Sequence, residues 1–165
     1  MSLAWGDSPR ANHRALSGLL RELRNRHTAP ESNLRTHLDL VNEVTDYDSV
    51  EEILAALESR IEREPWLQRA AQTLSAGSPT SAKVIFEIYR RAVRLSLKEA
   101  FALELGLTMQ FAQHSDLREG IRARLIDKDN QPRWSPGTLA EVSETHVDEH
   151  FASPWPANRH PFKNW

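Results

Sequence analysis

His146-Val-Asp-Glu149-His150 is the segment of this 165-residue chain with the plainest capacity for chemistry. A spacing of four puts both imidazoles on one helical face, and His-x-x-Glu-His is the pattern of an inverted zinc-peptidase motif. A catalytic zinc also needs a third protein ligand and a general base. Such enzymes draw their remaining carboxylate from far downstream, whereas only 15 residues follow His150. The expectation is therefore a solvated, charge-rich helix and no metal site.

The other reactive side chains are weaker candidates. Glu104 and Glu119 have the type of a general acid or base, but Glu119 is accounted for by helix capping. Glu104 has no partner carboxylate, histidine or glycine-rich donor loop that would make a catalytic pair. Arg14, Arg21, Arg24 and Arg26, then Arg90, Arg91 and Arg94, are interleaved with acids and read as solvated helix faces rather than a phosphate-binding stripe. The tryptophans, at 5, 66, 134, 155 and 165, are too scattered for a base-stacking platform. Trp66 and Trp134 are expected to anchor packing.

The elements that must position these residues all carry helical period, and no stretch shows strand alternation between hairpin turns. The fold class is all-α. A helix from about Pro9 to Arg26 presents Leu16, Leu19, Leu20 and Leu23 on one side, and a second spans about Glu31 to Val44. Ser49 with Glu52 opens a third. Pro65 restarts the chain, and Ser78 is placed to cap a helix whose first residue is Pro79. Ser96 with Glu99 opens a long helix to about His114 whose girth is mostly apolar, so that it needs cover on more than one side. Gly106 in its middle costs roughly 1 kcal/mol of helix propensity against alanine. A last helix starts at about Pro136 or Ser143 and ends at Phe151. The expected division is one helical domain over 1–151 and an extended Pro-Trp-Pro tail over 152–165.

Between these helices lies the most specific run, Asp116 to Trp134. Asp116 and Glu119 have the spacing of a capping box, Gly120 permits a close approach, and Ile121, Leu125 and Ile126 form an expected buried stripe before Pro132. Asp-x-x-Glu-Gly at 116–120 and Leu-Ile-Asp-Lys-Asp-x-x-Pro-x-Trp at 125–134, with Ser78-Pro79-Thr80-Ser81 upstream, resemble the C-terminal signature of the crotonase (enoyl-CoA hydratase/isomerase) superfamily. Within it they are most similar to the 3-hydroxyisobutyryl-CoA hydrolase branch. The match is strong over 78–134 and weaker over about 34–77 and 135–151.

The resemblance implies a helical C-terminal part of a crotonase-type fold, without the strand-rich, glycine-rich half in which that family keeps its catalytic acid and oxyanion hole. Here there is no Gly-Gly pair and only 6 glycines. The implied function is the helical portion of a thioester hydrolase acting on 3-hydroxyisobutyryl-CoA in valine breakdown, covering the pocket and building subunit contacts, with no catalytic residue of its own. The alternative is a stand-alone, non-catalytic helical interaction protein of the same descent. The resemblance carries across one ligand contact, Lys128, at the place where crotonases bring a lysine to the phosphates of coenzyme A. The competing reading of Lys128 is a surface lysine neutralised by Asp127 and Asp129. Coenzyme A enters only as part of the substrate, with no other cofactor. The implied partners are a crotonase-type N-terminal half or a neighbouring subunit, and a homo-oligomer is possible.

Composition narrows the remaining classes. Basic residues number 21 against 23 acidic, for a formal net charge of −2, which argues against a dedicated nucleic-acid or anionic-membrane partner. Cysteine is absent, excluding disulfides and thiolate chemistry. No apolar run approaches the roughly 18 residues of a membrane span. The expected location is the cytoplasm.

Overall fold

A computed structural model describes residues 5–27, 30–156 and 159–162; Trp165 lies outside the described residues. Every regular element among them is a helix, as the periodicity requires. Contacts group the chain into two compact units, 1–42 and 43–165.

In the first unit, α1 (Pro9–Arg26) starts at Ser8, whose hydroxyl accepts from Ala11 N–H, with Pro9 in the first turn. None of its residues is buried, and Leu20 is 56% exposed. The helix expected over about 31–44 is interrupted at His37, giving α2 (Asn33–Thr36) and α3 (Leu38–Thr45), whose last residues belong to the second unit. Side chains bond to the same carbonyls as the backbone here: Thr36 Oγ1 donates to Ser32 O, and His37 Nδ1 lies 2.9 Å from Asn33 O, while the Thr36 and His37 N–H groups still donate to those two carbonyls at 3.0 Å.

The second unit is built from α4 (Val50–Arg60), a 3₁₀ turn (Pro65–Leu67), α5 (Gln68–Ala76), α6 (Pro79–Ala92), α7 (Leu97–Gln113), α8 (Ser115–Ile121) and α9 (Glu144–Phe151). A π turn (Arg122–Ile126) follows α8, and a 3₁₀ turn (Leu139–Glu141) precedes α9. Caps read from sequence are present at α4, α6 and α7. At α7 the box is reciprocal, with Glu99 N–H donating to Ser96 Oγ at 3.3 Å and Ser96 N–H to Glu99 at 2.8 Å. That contact holds the Glu99 carboxyl below its ordinary value, through the Ser96 hydroxyl first and its N–H second.

Val84 of α6, Leu107 of α7, Val142 and Val147 of α9 form the core that positions these helices, with Ile88, Leu103, Phe111 and Phe151 packed against it. Each such side chain is worth about 1.5–3 kcal/mol when fully buried. The mostly apolar α7 thus spends one flank on α9 and another on α8. In its first turns Leu97 is 75% and Phe101 44% exposed.

Two expectations are corrected. Asp116 is not the cap of α8, because the helix starts one residue earlier at Ser115 and Asp116 sits inside its first turn. Ile121, Leu125 and Ile126 are exposed rather than buried, and Ala123 takes the interior place. The i to i+5 register of the π turn rotates the stripe away from where a 3.6-residue period puts it. The first residues after Phe151 touch α7. Gln110 Nε2 of α7 donates to Ala152 O at 2.7 Å, and a Cβ at Gly106 would stand 4.0 Å from Pro154 Cδ. No helix among the described residues is long and apolar enough to cross a membrane.

Candidate functional site

The Asp116–Trp134 segment is held by two carboxylates with different tasks. Asp116, 5% exposed, accepts from Ser78 Oγ at 2.5 Å and from Ser135 N–H at 3.1 Å. Ser78 Oγ also accepts from Ser81 N–H at 3.0 Å, so one hydroxyl both caps α6 and ties it to α8. Glu119 turns toward Arg122, whose Nε and Nη2 donate to it as a fork at 2.9 and 2.8 Å. Arg133 N–H donates to the same carboxylate at 2.7 Å. These donors, Arg122 foremost and then the Arg133 N–H, push the Glu119 carboxyl down to about 2.

Arg122 also closes the turn that follows. Its Nη1 donates to Asp127 at 2.6 Å and Asp129 at 2.7 Å, and its Nη2 to Gln131 O at 3.1 Å. The Glu119, Asp129 and Asp127 carboxylates raise the Arg122 guanidinium above its ordinary value, and Arg122 in turn lowers Asp129. The turn between them is tight. Asn130 N–H reaches back to Ala123 O at 3.0 Å, and both Lys128 (φ 57°) and Asn130 (φ 54°) adopt the left-handed conformation. Asparagine takes that region readily. A lysine does so at a cost of about 1–2 kcal/mol and stays there because the Arg122 clamp and the π turn determine the path on both sides.

This geometry bears on the expected coenzyme contact. The two acids that were to neutralise Lys128 are hydrogen-bonded to Arg122, while Lys128 is exposed and makes no ion pair among the described residues. Beside this segment runs an open apolar groove lined by Ile85, Phe111, Leu117, Ile121, Leu125 and Trp134, among others. Gly120 forms part of its floor. A Cβ there would meet the Trp134 ring at 3.4 Å, so the close approach that glycine allows is to an indole and not to a second backbone. Trp134 is fixed by its own Nε1–H donating to Ala76 O at 3.0 Å, the packing role expected of it.

Elsewhere the candidate residues separate. Glu104 is exposed on α7. Arg91 bonds to Glu87 and Asp148 and lies 3.8 Å over the Phe151 ring, so it serves packing between α6 and α9. His146 and His150 do share a face of α9, and a third imidazole meets them. His114, at the end of α7, stacks on His150 with centroids 4.1 Å apart and stands edge-on to His146 at 5.5 Å. His150 is fully buried, and that burial, followed by the charges of His114 and His146, lowers its imidazole below the ordinary value. The sequence reading missed His114 because it sought a third ligand downstream. The signal was a histidine at a helix end, which has no spacing relation to α9.

Comparison with known proteins agrees with this architecture. Residues 3–151 match the family profile described as enoyl-CoA hydratase/isomerase, so the relationship extends further toward the N-terminus than the motifs alone. The zebrafish (Danio rerio) mitochondrial 3-hydroxyisobutyryl-CoA hydrolase is 38% identical over 120 residues, 73% of this chain and 31% of that protein. The human mitochondrial 3-hydroxyisobutyryl-CoA hydrolase is 32% identical over 120 residues, with the same shares. The chain thus spans about a third of the length of the curated relatives it matches. A carnitinyl-CoA dehydratase from Mycobacterium thermoresistibile superposes with a TM-score of 0.73 at 30% identity, covering 93% of this chain and 46% of that one. An enoyl-CoA hydratase from Rhodobacter sphaeroides gives a TM-score of 0.71 at 29% identity, covering 86% and 43%. With helices as the only regular elements among the described residues, an Asp116–Trp134 segment of the expected pattern and these matches in sequence and structure, the chain belongs to the enoyl-CoA hydratase/isomerase (crotonase) family, with 3-hydroxyisobutyryl-CoA hydrolases among its relatives.

Proposed function

We propose that this chain is the C-terminal helical portion of an acyl-CoA thioester hydrolase acting on 3-hydroxyisobutyryl-CoA, where it covers the acyl-CoA pocket and makes subunit contacts while a separate half supplies the chemistry. The observation that carries the reading is an exposed Lys128, without an ion pair among the described residues, three positions after Leu125, which lines the open groove. An ammonium on a rigid turn suits a phosphate as a point charge, and apolar walls suit the rest of an acyl-CoA ligand or the surface of a catalytic half. Exposed Leu117, Ile121, Leu125 and Ile126 extend that apolar surface and support the same use. Coenzyme A takes part only as substrate and product, since water adds to the thioester carbonyl and the sulfur leaves as the free thiol. The relatives' names place those proteins in mitochondria. A cytoplasmic location for this chain is part of the proposal, and cell fractionation decides between the two.

The test mixes this chain with the N-terminal half of a 3-hydroxyisobutyryl-CoA hydrolase and follows thiol release together with sedimentation. Hydrolysis is expected from the pair and from neither part alone. Lys128→Ala should raise KM about 10- to 150-fold with kcat little changed, the loss of one charge-assisted contact. Hydrolysis by this chain alone would refute the division of labour. Association without activity, or a chain indifferent to the other half, would favour the non-catalytic interaction protein.

A further inference from the structure

The structure points to a metal site that the motif by itself did not complete: we propose that His114, His146 and His150 bind one divalent transition-metal ion of the zinc class, joining the end of α7 to α9. The three residues offer ligand nitrogens that all lie within 4.8 Å of one another. The inference is independent of the hydrolase reading, because none of the three lines the groove or the Lys128 turn.

His150 is the anchor. Its Nδ1 lies 2.9 Å from His146 O, a carbonyl that can only accept, so Nδ1 carries the proton and Nε2 presents a bare lone pair. That Nε2 is buried and has no hydrogen-bond partner among the described residues, while its residue is 0% exposed. A buried acceptor without a donor is costly and calls for a ligand. A backbone carbonyl on the far nitrogen is also the usual device that orients a metal-binding imidazole.

His146 is arranged in the complementary way. Glu149 stands 3.6 Å from its Nδ1, which is the place of a carboxylate that orients a ligand histidine, and its Nε2 has only a long 3.3 Å contact with Thr80 Oγ1. In the proposed site Glu149, closing from 3.6 Å onto Nδ1 as the ring turns, acts as a positioning residue rather than the general base that the peptidase motif would make it. Three neutral imidazoles without sulfur or carboxylate suit zinc, copper or nickel and reject magnesium and calcium. Bonds of about 2.0–2.1 Å in a tetrahedron need nitrogens roughly 3.3 Å apart. Binding therefore requires the His114 and His146 rings to rotate and the His114–His150 stack to open, so that nitrogens now within 4.8 Å reach that separation. Both movable rings are half-buried and His150 stays in place. A water takes the fourth position.

The experiment uses the full chain without a purification tag, zinc by calorimetric titration and cobalt(II) by visible absorption. One zinc per chain is expected, with a dissociation constant of about 1 μM or tighter, and a cobalt spectrum of tetrahedral form. Zinc should raise the Tm, and magnesium should not. His114→Gln and His146→Gln, at half-buried positions that need not disturb the core, should each weaken zinc at least about tenfold, and Glu149→Gln by about tenfold through orientation alone. No heat or spectral change up to about 100 μM metal, some hundredfold above the expected constant, overturns the proposal. So does zinc binding left unchanged by both histidine variants when circular dichroism shows them folded.

Discussion

Replacing Asp116 with alanine removes two hydrogen bonds from a carboxylate that is almost entirely enclosed, those from Ser78 Oγ at 2.5 Å and Ser135 N–H at 3.1 Å. Hydrogen bonds to a charged group are worth about 1.5–3 kcal/mol each. The Ser135 amide sits beside an exposed side chain, so water recovers part of the second, and the net cost comes to about 3 kcal/mol. A residue acting only as a local helix cap would cost about 0.5–2 kcal/mol. These magnitudes overlap at their margins, so the decisive quantity is coupling. Ser78→Ala alone loses the α6 cap, about 1 kcal/mol, together with the same inter-helix bond. If Asp116 and Ser78 act on one bond between α6 and α8, the double variant should fall short of additivity by about 1.5–3 kcal/mol. Urea unfolding followed by both circular dichroism and tryptophan fluorescence measures this, and coincident transitions validate the two-state treatment. With a slope of about 1–3 kcal/mol per M, the Asp116→Ala midpoint should move by roughly 1 M or more. Additivity within about 0.5 kcal/mol would refute the reasoning and return both residues to separate caps.

Two further outcomes follow from the same geometry. Because the Glu119 carboxyl sits near 2 in the folded chain against an ordinary value of 4.5, its contribution is complete above that ordinary value and drains as pH falls toward 2. Glu119→Gln should therefore lower stability at neutral pH and make the acid limb of a stability profile shallower, and an unchanged limb would contradict the Arg122 clamp. Gly106→Ala should stabilise by up to about 1 kcal/mol, since a Cβ there meets nothing nearer than Pro154 Cδ at 4.0 Å; a lower Tm would show that the tail packs closer to α7 than this distance.

Helix existence, and most helix starts, are local properties and were legible in the sequence. The Ser49, Ser78 and Ser96 caps lie where side-chain oxygens can reach the N–H three residues on, and α1 spans Pro9–Arg26 as read. The family, too, was legible, because the Asp116–Trp134 pattern is contiguous. The chemistry of that pattern was not. Asp116 and Glu119 have capping-box spacing, yet one is claimed by a serine on α6 and the other by Arg122, and a charged donor outbids a backbone amide. Periodicity likewise finds an apolar face without saying what meets it, so Ile121, Leu125 and Ile126 were expected inside and stand exposed across a π turn. The histidines divide in the same way. The i, i+4 pair on α9 is written in the sequence, whereas His114 joins it only because α7 packs on α9, and contact between separate helices follows from tertiary packing rather than from any spacing along the chain.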